Sequence, residues 1–321
     1  LNPSAVEKKF IETVRARNLL PAGTTVVAAV SGGGDSVALF RLLAGFAGHM
    51  GWKLKVLHVD HGTRPESSED AEFVGALADS EGLEFVLKRL EPPARGSLED
   101  YFSRKRQEIY RSVARDGDLV ATGHTADDRA ETLLMRLLEG AGLRGLGGMD
   151  YFGRECVRRP LLDFTGKQLR SYLLALDQPW VEDSSNLSGD YLRNRIRQKV
   201  MPVLEEISPG CAASLARASA NLKSWRDFLD TVVEESLDGL LIGEDRFDRN
   251  DYSVMPAALR ITALWTIAGK PRGGRTELEK TDRWILSGKN GFHELPGGAR
   301  LVLDGSMVRI EVPAGRERNL D

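Results

Sequence analysis

Apolar positions at 6, 10, 11 and 14 repeat with helical spacing behind Ser4-Ala5-Val6-Glu7, a capping box, and Pro21 to Gly23 ends that helix. Residues 25–30 (TVVAAV) then form an unbroken apolar, β-branched run of strand length, and residues 37–43 return to the spacing of a helix packed on a sheet. The same change of period recurs. Strands are predicted at 54–59, 83–87 and 118–122, with helices capped at Ser67 to Asp70, over 98–115 behind Ser97, and over 126–139 behind Thr125. Strands alternating with helices predict an α/β fold, a doubly wound parallel sheet with helices on both faces. Beyond residue 150 the pattern turns helical, with Thr165 to Gln168 opening a helix to about 176 and an Ala-rich helical stretch over 211–241. Helices at 256–268 and 278–286 with strands at 291–294 and 299–312 read as a small α+β domain. The expected division is an N-terminal catalytic domain over 1–150 (core about 24–150), a helical linker region over 151–240, and a C-terminal domain over 241–321.

Between the first strand and its helix the chain reads Ser31-Gly32-Gly33-Gly34-Asp35-Ser36. Three glycines without Cβ atoms let backbone N–H groups close on a large anion, and the following helix aims its positive end at the same point. Ser31 and Ser36 add hydroxyl donors, and Asp35 adds a carboxylate suited to Mg²⁺ rather than to phosphate itself. The spacing fits neither GxxxxGK[ST] nor GxGxxG. A polyphosphate site is expected.

Groups just past the carboxyl ends of parallel strands line a ligand crevice. The second strand ends in HVDHGTR, which places His61 and Arg64 for substrate or phosphate, while His58 reads as a half-buried strand histidine. Two histidines three apart make no zinc site without further ligands. The fourth strand ends in GHTADDRAETLL, putting His124 beside the first turns of a helix that bears Asp127, Asp128 and Glu131. Asp128 and Glu131, three apart, share one face. Residues 140–148, with five glycines around Arg144, read equally as a lid, an RNA-contacting loop or a plain connector. In YLRNRIRQKV, Arg193 and Arg197 share one helical face and Arg195 and Lys199 another. Four cations in seven residues repel unless acids or phosphates lie close, and phosphate contact is expected. The basic run Arg104, Lys105, Arg106 and Arg111 reads as solvated surface or as a further RNA contact.

Composition adds bounds. With 321 residues, 41% hydrophobic and 28% charged, the chain can bury a substantial core, and no apolar run reaches bilayer-spanning length. Cys156 and Cys211 are too few for a disulfide framework or a cysteine metal cluster, so a reduced, cytoplasmic setting is expected. A net charge of −3 does not announce a nucleic-acid ligand, so any such binding rests on a local basic face. Whether a second copy pairs into a homodimer stays open.

At SGGGDS the sequence resembles the PP-loop, or N-type ATP pyrophosphatase, superfamily. The ordered set SGGGDS, HVDHGTR, GHTADDRAETLLMRLLEGAGLRGLGGM, RPLL, WVEDSSN and YLRNRIRQKV is similar to the tRNA(Ile)-lysidine synthetases. That resemblance implies an ATP-dependent ligase. L-lysine replaces the C2 oxygen of the wobble cytidine in an isoleucine tRNA with a CAU anticodon, through an adenylated cytidine, releasing AMP and pyrophosphate. By the same resemblance, residues 31–36 with His61 and Arg64 bind ATP, Asp35 holds Mg²⁺, and Asp128 and Glu131 bind lysine. Asp35, His124, Asp128 and Glu131 form the catalytic set, its general base left open between His124 and Asp128, and Arg193, Arg195, Arg197 and Lys199 contact tRNA. Rival readings are a sulfur-inserting PP-loop enzyme, whose iron–sulfur form needs clustered cysteines, and a regulator that holds ATP without splitting it.

Overall fold

Strand β1 (Thr25–Ala29) is apolar on both sides because both sides are covered. Val26, Ala28 and Val30 face a core built with Val6, Phe10 and Val14 of α1 (Pro3–Ala16), Phe40 and Leu43 of α2 (Gly34–Met50), and Leu169 and Leu173 further along. Val27 looks the other way, into a smaller cluster with Leu57, Tyr110, Val120 and Val157. Full burial on two faces explains a continuous apolar run where a half-exposed strand would alternate. The protein is described by a computed structural model covering residues 3–62, 67–91, 98–115, 117–182, 192–243, 245–271 and 274–311.

Around β1 lie β2 (Lys53–Asp60), β3 (Glu84–Arg89), β4 (Leu119–Thr122) and β5 (Val157–Arg158), in the order β3-β2-β1-β4-β5. Every pairing is parallel, with Val26 opposite both Leu54 and Leu119. The helices α3 (Ser67–Ser80), α4 (Leu98–Val113) and α5 (Ala126–Leu138) provide the crossovers, so the doubly wound parallel fold holds. Chain direction reverses its progress across the sheet between β1 and β4. In such sheets the ligand crevice opens at that switch point, past the carboxyl ends of the two strands.

Packing divides the chain into Leu1–Ser224 and Trp225–Asp321. Residues 151–224 join the first unit for a physical reason: β5 pairs with β4, and α7 (Gly166–Ala175) buries Leu169, Tyr172 and Leu173 in the core of α1 and α2. The glycine-rich segment after α5 contains a helical turn, α6 (Leu143–Leu146), and the Ser219 hydroxyl donates to the Leu146 carbonyl at 3.2 Å. Helical residues continue through α8 (Leu192–Arg195), a π-helical turn (Ile196–Val200), α9 (Met201–Ile207) and α10 (Cys211–Leu240).

The second unit holds a five-stranded antiparallel sheet in the order β6-β7-β10-β9-β8, formed by β6 (Leu241–Ile242), β7 (Arg246–Asp248), β8 (Gly291–Glu294), β9 (Arg300–Asp304) and β10 (Met307–Glu311). Helices α11 (Arg249–Val254), α12 (Ala257–Ile267) and α13 (Arg275–Ser287) complete it. Leu301, Leu303, Val308 and Ile310 alternate into its core, and the β9–β10 turn places Gly305 at φ +63°, a left-handed conformation that a two-residue hairpin demands. Strands β5, β6 and β7 were not legible in the sequence, because two or three residues are too few for a period to show.

One ionic cluster is buried in that unit. Asp282 accepts from Arg260 Nε at 2.8 Å, Arg260 Nη2 at 3.2 Å and the Tyr252 hydroxyl at 2.7 Å, with the side chains of Arg260 and Asp282 only 12% and 10% exposed. Removing one partner strands the other charge, so Asp282→Ala is expected to cost about 3–5 kcal/mol. Urea unfolding followed by fluorescence of Trp265 and Trp284 measures it. A loss below about 1 kcal/mol would show that the cluster does not hold the unit together.

Candidate functional site

The phosphate loop is held from below and from within. The Val30 N–H donates to the Leu57 carbonyl and His58 Nδ1 donates to the Val30 carbonyl, both at 2.8 Å, so His58 is a strand histidine that ties β1 to β2 at the loop's entrance. Inside the loop, Ser36 Oγ donates to the Gly33 carbonyl at 2.8 Å and accepts the Ser31 N–H at 3.1 Å. With its single proton engaged, Ser36 also accepts from Ser31 Oγ at 3.1 Å. The two serines predicted as phosphate ligands thus close the loop on itself. The first N–H groups of α2 have no intrahelical acceptor and converge at the loop.

One glycine of the loop is required by its backbone conformation. Gly32 sits at φ +96°, and its carbonyl accepts the Val181 N–H at 3.0 Å. Gly34 has Trp180 Cδ1 3.5 Å from where a Cβ would be, so residues 180 and 181 lie across the loop. Gly123, not singled out in the sequence, ends β4 against the first turn of α2: a Cβ there would meet Ser36 N and Cα at 3.1 Å. Glycine just before the His124 turn was the available signal. This close approach sets the two sides of the crevice against each other.

On the β4 side, Thr125 caps α5. Asp128 Oδ2 accepts the Thr125 N–H at 2.8 Å and its hydroxyl at 3.1 Å, while Asp127 Oδ2 accepts the Gly166 N–H at 2.7 Å and so anchors α7. The other carboxylate oxygens face arginine. Arg193 donates from Nη2 to Asp128 Oδ1 at 2.9 Å and from Nε to Glu131 Oε2 at 3.0 Å. Arg197 donates from Nε to Glu131 Oε1 at 2.6 Å and from Nη2 to Glu131 Oε2 at 2.9 Å and Asp128 Oδ1 at 3.1 Å. Glu131 is 2% exposed. Of the four cations expected on tRNA, Arg195 and Lys199 are exposed, whereas Arg193 and Arg197 are turned in on the two acids expected to hold lysine.

These contacts set the charge states. Burial opposes ionisation of Asp128, yet Arg193, His124, the Thr125 N–H and Arg197 together keep its carboxyl below the ordinary range. Burial likewise opposes the charge on Arg197, but Glu131 and Asp128 hold it firmly protonated. His124 is pushed down to about 4, chiefly by burial, with Asp128 opposing and Arg159 and Arg193 adding to the fall. It is neutral near pH 7. Thr122 Oγ1 lies 2.9 Å from His124 Nδ1 and 3.4 Å from the Arg158 carbonyl, so its hydroxyl holds the imidazole in place at the end of β4.

Asp35 is different. Its Oδ1 is buried without a hydrogen-bond partner among the described residues, and its carboxyl is pushed up to about 7, first by burial and then by Asp128 and Asp127, against Arg170 and Arg197. An orphaned carboxylate oxygen beside a helix N-terminus fits a divalent cation carried in with phosphates. Among the described residues no three His, Cys, Asp or Glu side chains converge on a cation, so phosphate oxygens and water would complete such a shell. His61 follows β2 with its ring 4.6 Å from Phe102, edge to face. Arg64 lies outside the described residues.

A parallel sheet with a closed phosphate loop and an acidic helix start facing each other at its switch point defines an ATP-using PP-loop domain. A family model described as PP-loop domain matches residues 4–204. The tRNA(Ile)-lysidine synthase of Synechococcus sp. is 36% identical over 79% of this chain and 79% of its own length. That of Geobacter sulfurreducens is 35% identical over 97% of this chain and 65% of its own length. The chain belongs to the tRNA(Ile)-lysidine synthase family of PP-loop enzymes. Among solved structures, the U34-tRNA thiolase NcsA from Methanococcus maripaludis has a TM-score of 0.57 at 19% identity, covering 68% of this chain and 78% of that one, a likeness of fold alone.

Proposed function

We propose that the chain is an ATP-dependent ligase that joins L-lysine to C2 of the wobble cytidine in an isoleucine tRNA with a CAU anticodon. The observation carrying this reading is the juxtaposition, across one crevice, of a polyphosphate cradle at β1 and a buried acidic pair on α5, in a chain of this family. In the first half-reaction the C2 oxygen attacks the α-phosphorus of ATP and pyrophosphate leaves. The N–H groups opening α2 would stabilise the negative charge that grows on that leaving group. Asp35 would hold Mg²⁺, which supplies positive charge to the phosphates when bound.

In the second half-reaction the lysine ε-amine attacks C2, the C–O bond breaks, and AMP leaves with the oxygen. An ε-ammonium has an unperturbed pKa of about 10.4 and must first give up a proton. Asp128, its oxygens engaged by Thr125 on one side and two arginines on the other, and the neutral His124 are the two groups beside the site that can take it. For a lysine ammonium to reach Asp128 and Glu131, Arg193 or Arg197 must yield part of its contact. Exposed Arg195 and Lys199 are left to meet tRNA phosphates. The reading places the chain in the cytoplasm with its tRNA; among the described residues no helix is long and apolar enough to cross a membrane.

The test is AMP and pyrophosphate release with unmodified tRNA(Ile) bearing CAU, each of the twenty amino acids supplied singly, with mass analysis of the anticodon nucleoside. Turnover with lysine alone and a lysine-sized gain on cytidine is expected. ATP binding without turnover on any amino acid would overturn the ligase reading in favour of an ATP-holding regulator. Arg195→Ala with Lys199→Ala is expected to reduce the slope of log K against log salt for tRNA by about 1–2, with ATP affinity unchanged. An unchanged slope across a salt titration would remove both residues from the RNA surface.

A further inference from the structure

Arg129 follows Asp128 on α5, but its side chain goes elsewhere. It is 2% exposed, donates from Nε to the Met149 carbonyl at 3.1 Å, and lies with its guanidinium 4.9 Å from the Tyr151 ring. Neither Nη makes a hydrogen bond and no carboxylate pairs with it among the described residues. Tyr151 compensates poorly, since the guanidinium of Arg17 also sits 4.3 Å from its ring and its hydroxyl donates to Asp163 Oδ1 at 2.6 Å. A guanidinium this far buried and without a counter-ion among the described residues is a charge that the protein's own groups leave unpaired.

Arg129 lines a cavity of about 350 Å³ walled by α1, α5, α7, the first half of α10 and the Leu162–Asp163 segment. Its other polar lining residues are Lys9, Asp163, Gln168 and Arg217, and the rest of the wall is Leu162 and four alanines. Three cations thus face one carboxylate. That carboxylate already takes the Tyr151 hydroxyl, while Lys9 donates to the Asp163 backbone carbonyl and packs 4.4 Å from the Phe164 ring. Lys9 is held below the usual ammonium range, chiefly by burial, with Asp163 opposing, as expected of a cation short of negative neighbours. Arg217 enters from α10, its Nη2 donating to Ser214 Oγ at 2.9 Å. No residue of the phosphate loop and neither Asp128 nor Glu131 lines this space.

We propose that this cavity binds a small organic anion through a carboxylate or phosphate head, with Arg129 as its buried anchor and Lys9 and Arg217 closing on it. The volume is at the lower end of that of small-molecule sites, larger than a bare ion needs, and Leu162 with the alanines offers apolar contact to the body of the molecule. A guanidinium held in place by Nε and a ring presents its remaining N–H groups as a preset fork for an oxyanion. Charge-assisted contacts of this kind discriminate by head group, so the two possible heads are separable by titration.

The experiment uses the full chain with the phosphate loop filled by saturating ATP, titrated at constant ionic strength with inorganic phosphate and, separately, with succinate. At least one probe is expected to bind, with a Kd that rises tenfold or more in Arg217→Ala and in Lys9→Met while ATP affinity stays the same. Tighter phosphate assigns a phosphate head, and tighter succinate a carboxylate head. Arg129→Met is expected to abolish binding; if it fails to fold, the Arg217 and Lys9 variants still decide the matter. The proposal is overturned if neither probe binds at tens of millimolar, or if both variants bind as the unsubstituted chain does.

Discussion

Glu131→Ala is expected to destabilise the N-terminal unit by about 3 kcal/mol and to abolish lysine-dependent turnover. The carboxylate is 2% exposed and accepts three hydrogen bonds, from Nε of Arg193, Nε of Arg197 and Nη2 of Arg197. Without it, Arg193 and Arg197 lose three charge-assisted hydrogen bonds between them, and each keeps its contact with Asp128 Oδ1. Breaking a buried charge network costs about 3–5 kcal/mol when the stranded charge cannot reach water. The Arg197 side chain is 37% exposed and can rehydrate in part, which favours the lower end of that range. Glu131→Gln keeps an acceptor and the shape but removes the charge, so it should cost less stability while still losing lysine use. Urea unfolding followed by tryptophan fluorescence, with lysine titrated against pyrophosphate release, separates the two effects. Full stability in Glu131→Ala would mean that the four-membered cluster does not persist in solution.

Asp35→Asn is expected to reduce pyrophosphate release by about 10²–10³-fold, the loss typical when one preorganised electrostatic group is removed from a reaction centre. The substitution preserves size but cannot match a carboxylate toward a cation. A second readout is stability in metal-free protein. Asp35 keeps its proton in the folded state up to about pH 7, while the unfolded chain loses it near 3.8. The folded state therefore binds more protons in that window, and stability falls as pH rises from about 4 to about 7. The decline is on the order of 4 kcal/mol if fully expressed, and Asp35→Asn should flatten it. Parallel curves for the two proteins would place the Asp35 carboxyl in water.

Much of this was legible in residue spacing. Apolar runs of strand length alternating with helical spacing located β1 to β4 and their helices, and the run followed by SGGGDS placed the phosphate loop. The three-residue offset of Asp128 and Glu131 put both acids on one face of α5, and the four-residue offset of Arg193 and Arg197 put both cations on one face of their helix. What met those faces was not legible. The arginines stand 62 to 69 residues beyond the acids, and a basic face reads the same whether it meets phosphate or carboxylate. The serines of the loop were read as ligands because hydroxyls donate; the backbone curvature that lets Ser31 and Ser36 find each other depends on Gly32 at φ +96°. Strand β5 escaped notice because pairing with β4, not its own two residues, makes it a strand.

By itself, then, the sequence determined the order of elements, the parallel α/β plan and the chemistry gathered at two strand ends, since each follows from local spacing and from which residue types tolerate which backbone. The tertiary structure alone decided which charges are neighbours: Asp128 and Glu131 against Arg193 and Arg197, Asp35 Oδ1 against no hydrogen-bond donor among the described residues, Arg129 against a cavity. Those pairings depend on the close approach of segments far apart in the chain, as at Gly123 on Ser36, and on the water that approach excludes. A buried charge takes its energy from that environment, which no periodicity along the chain records.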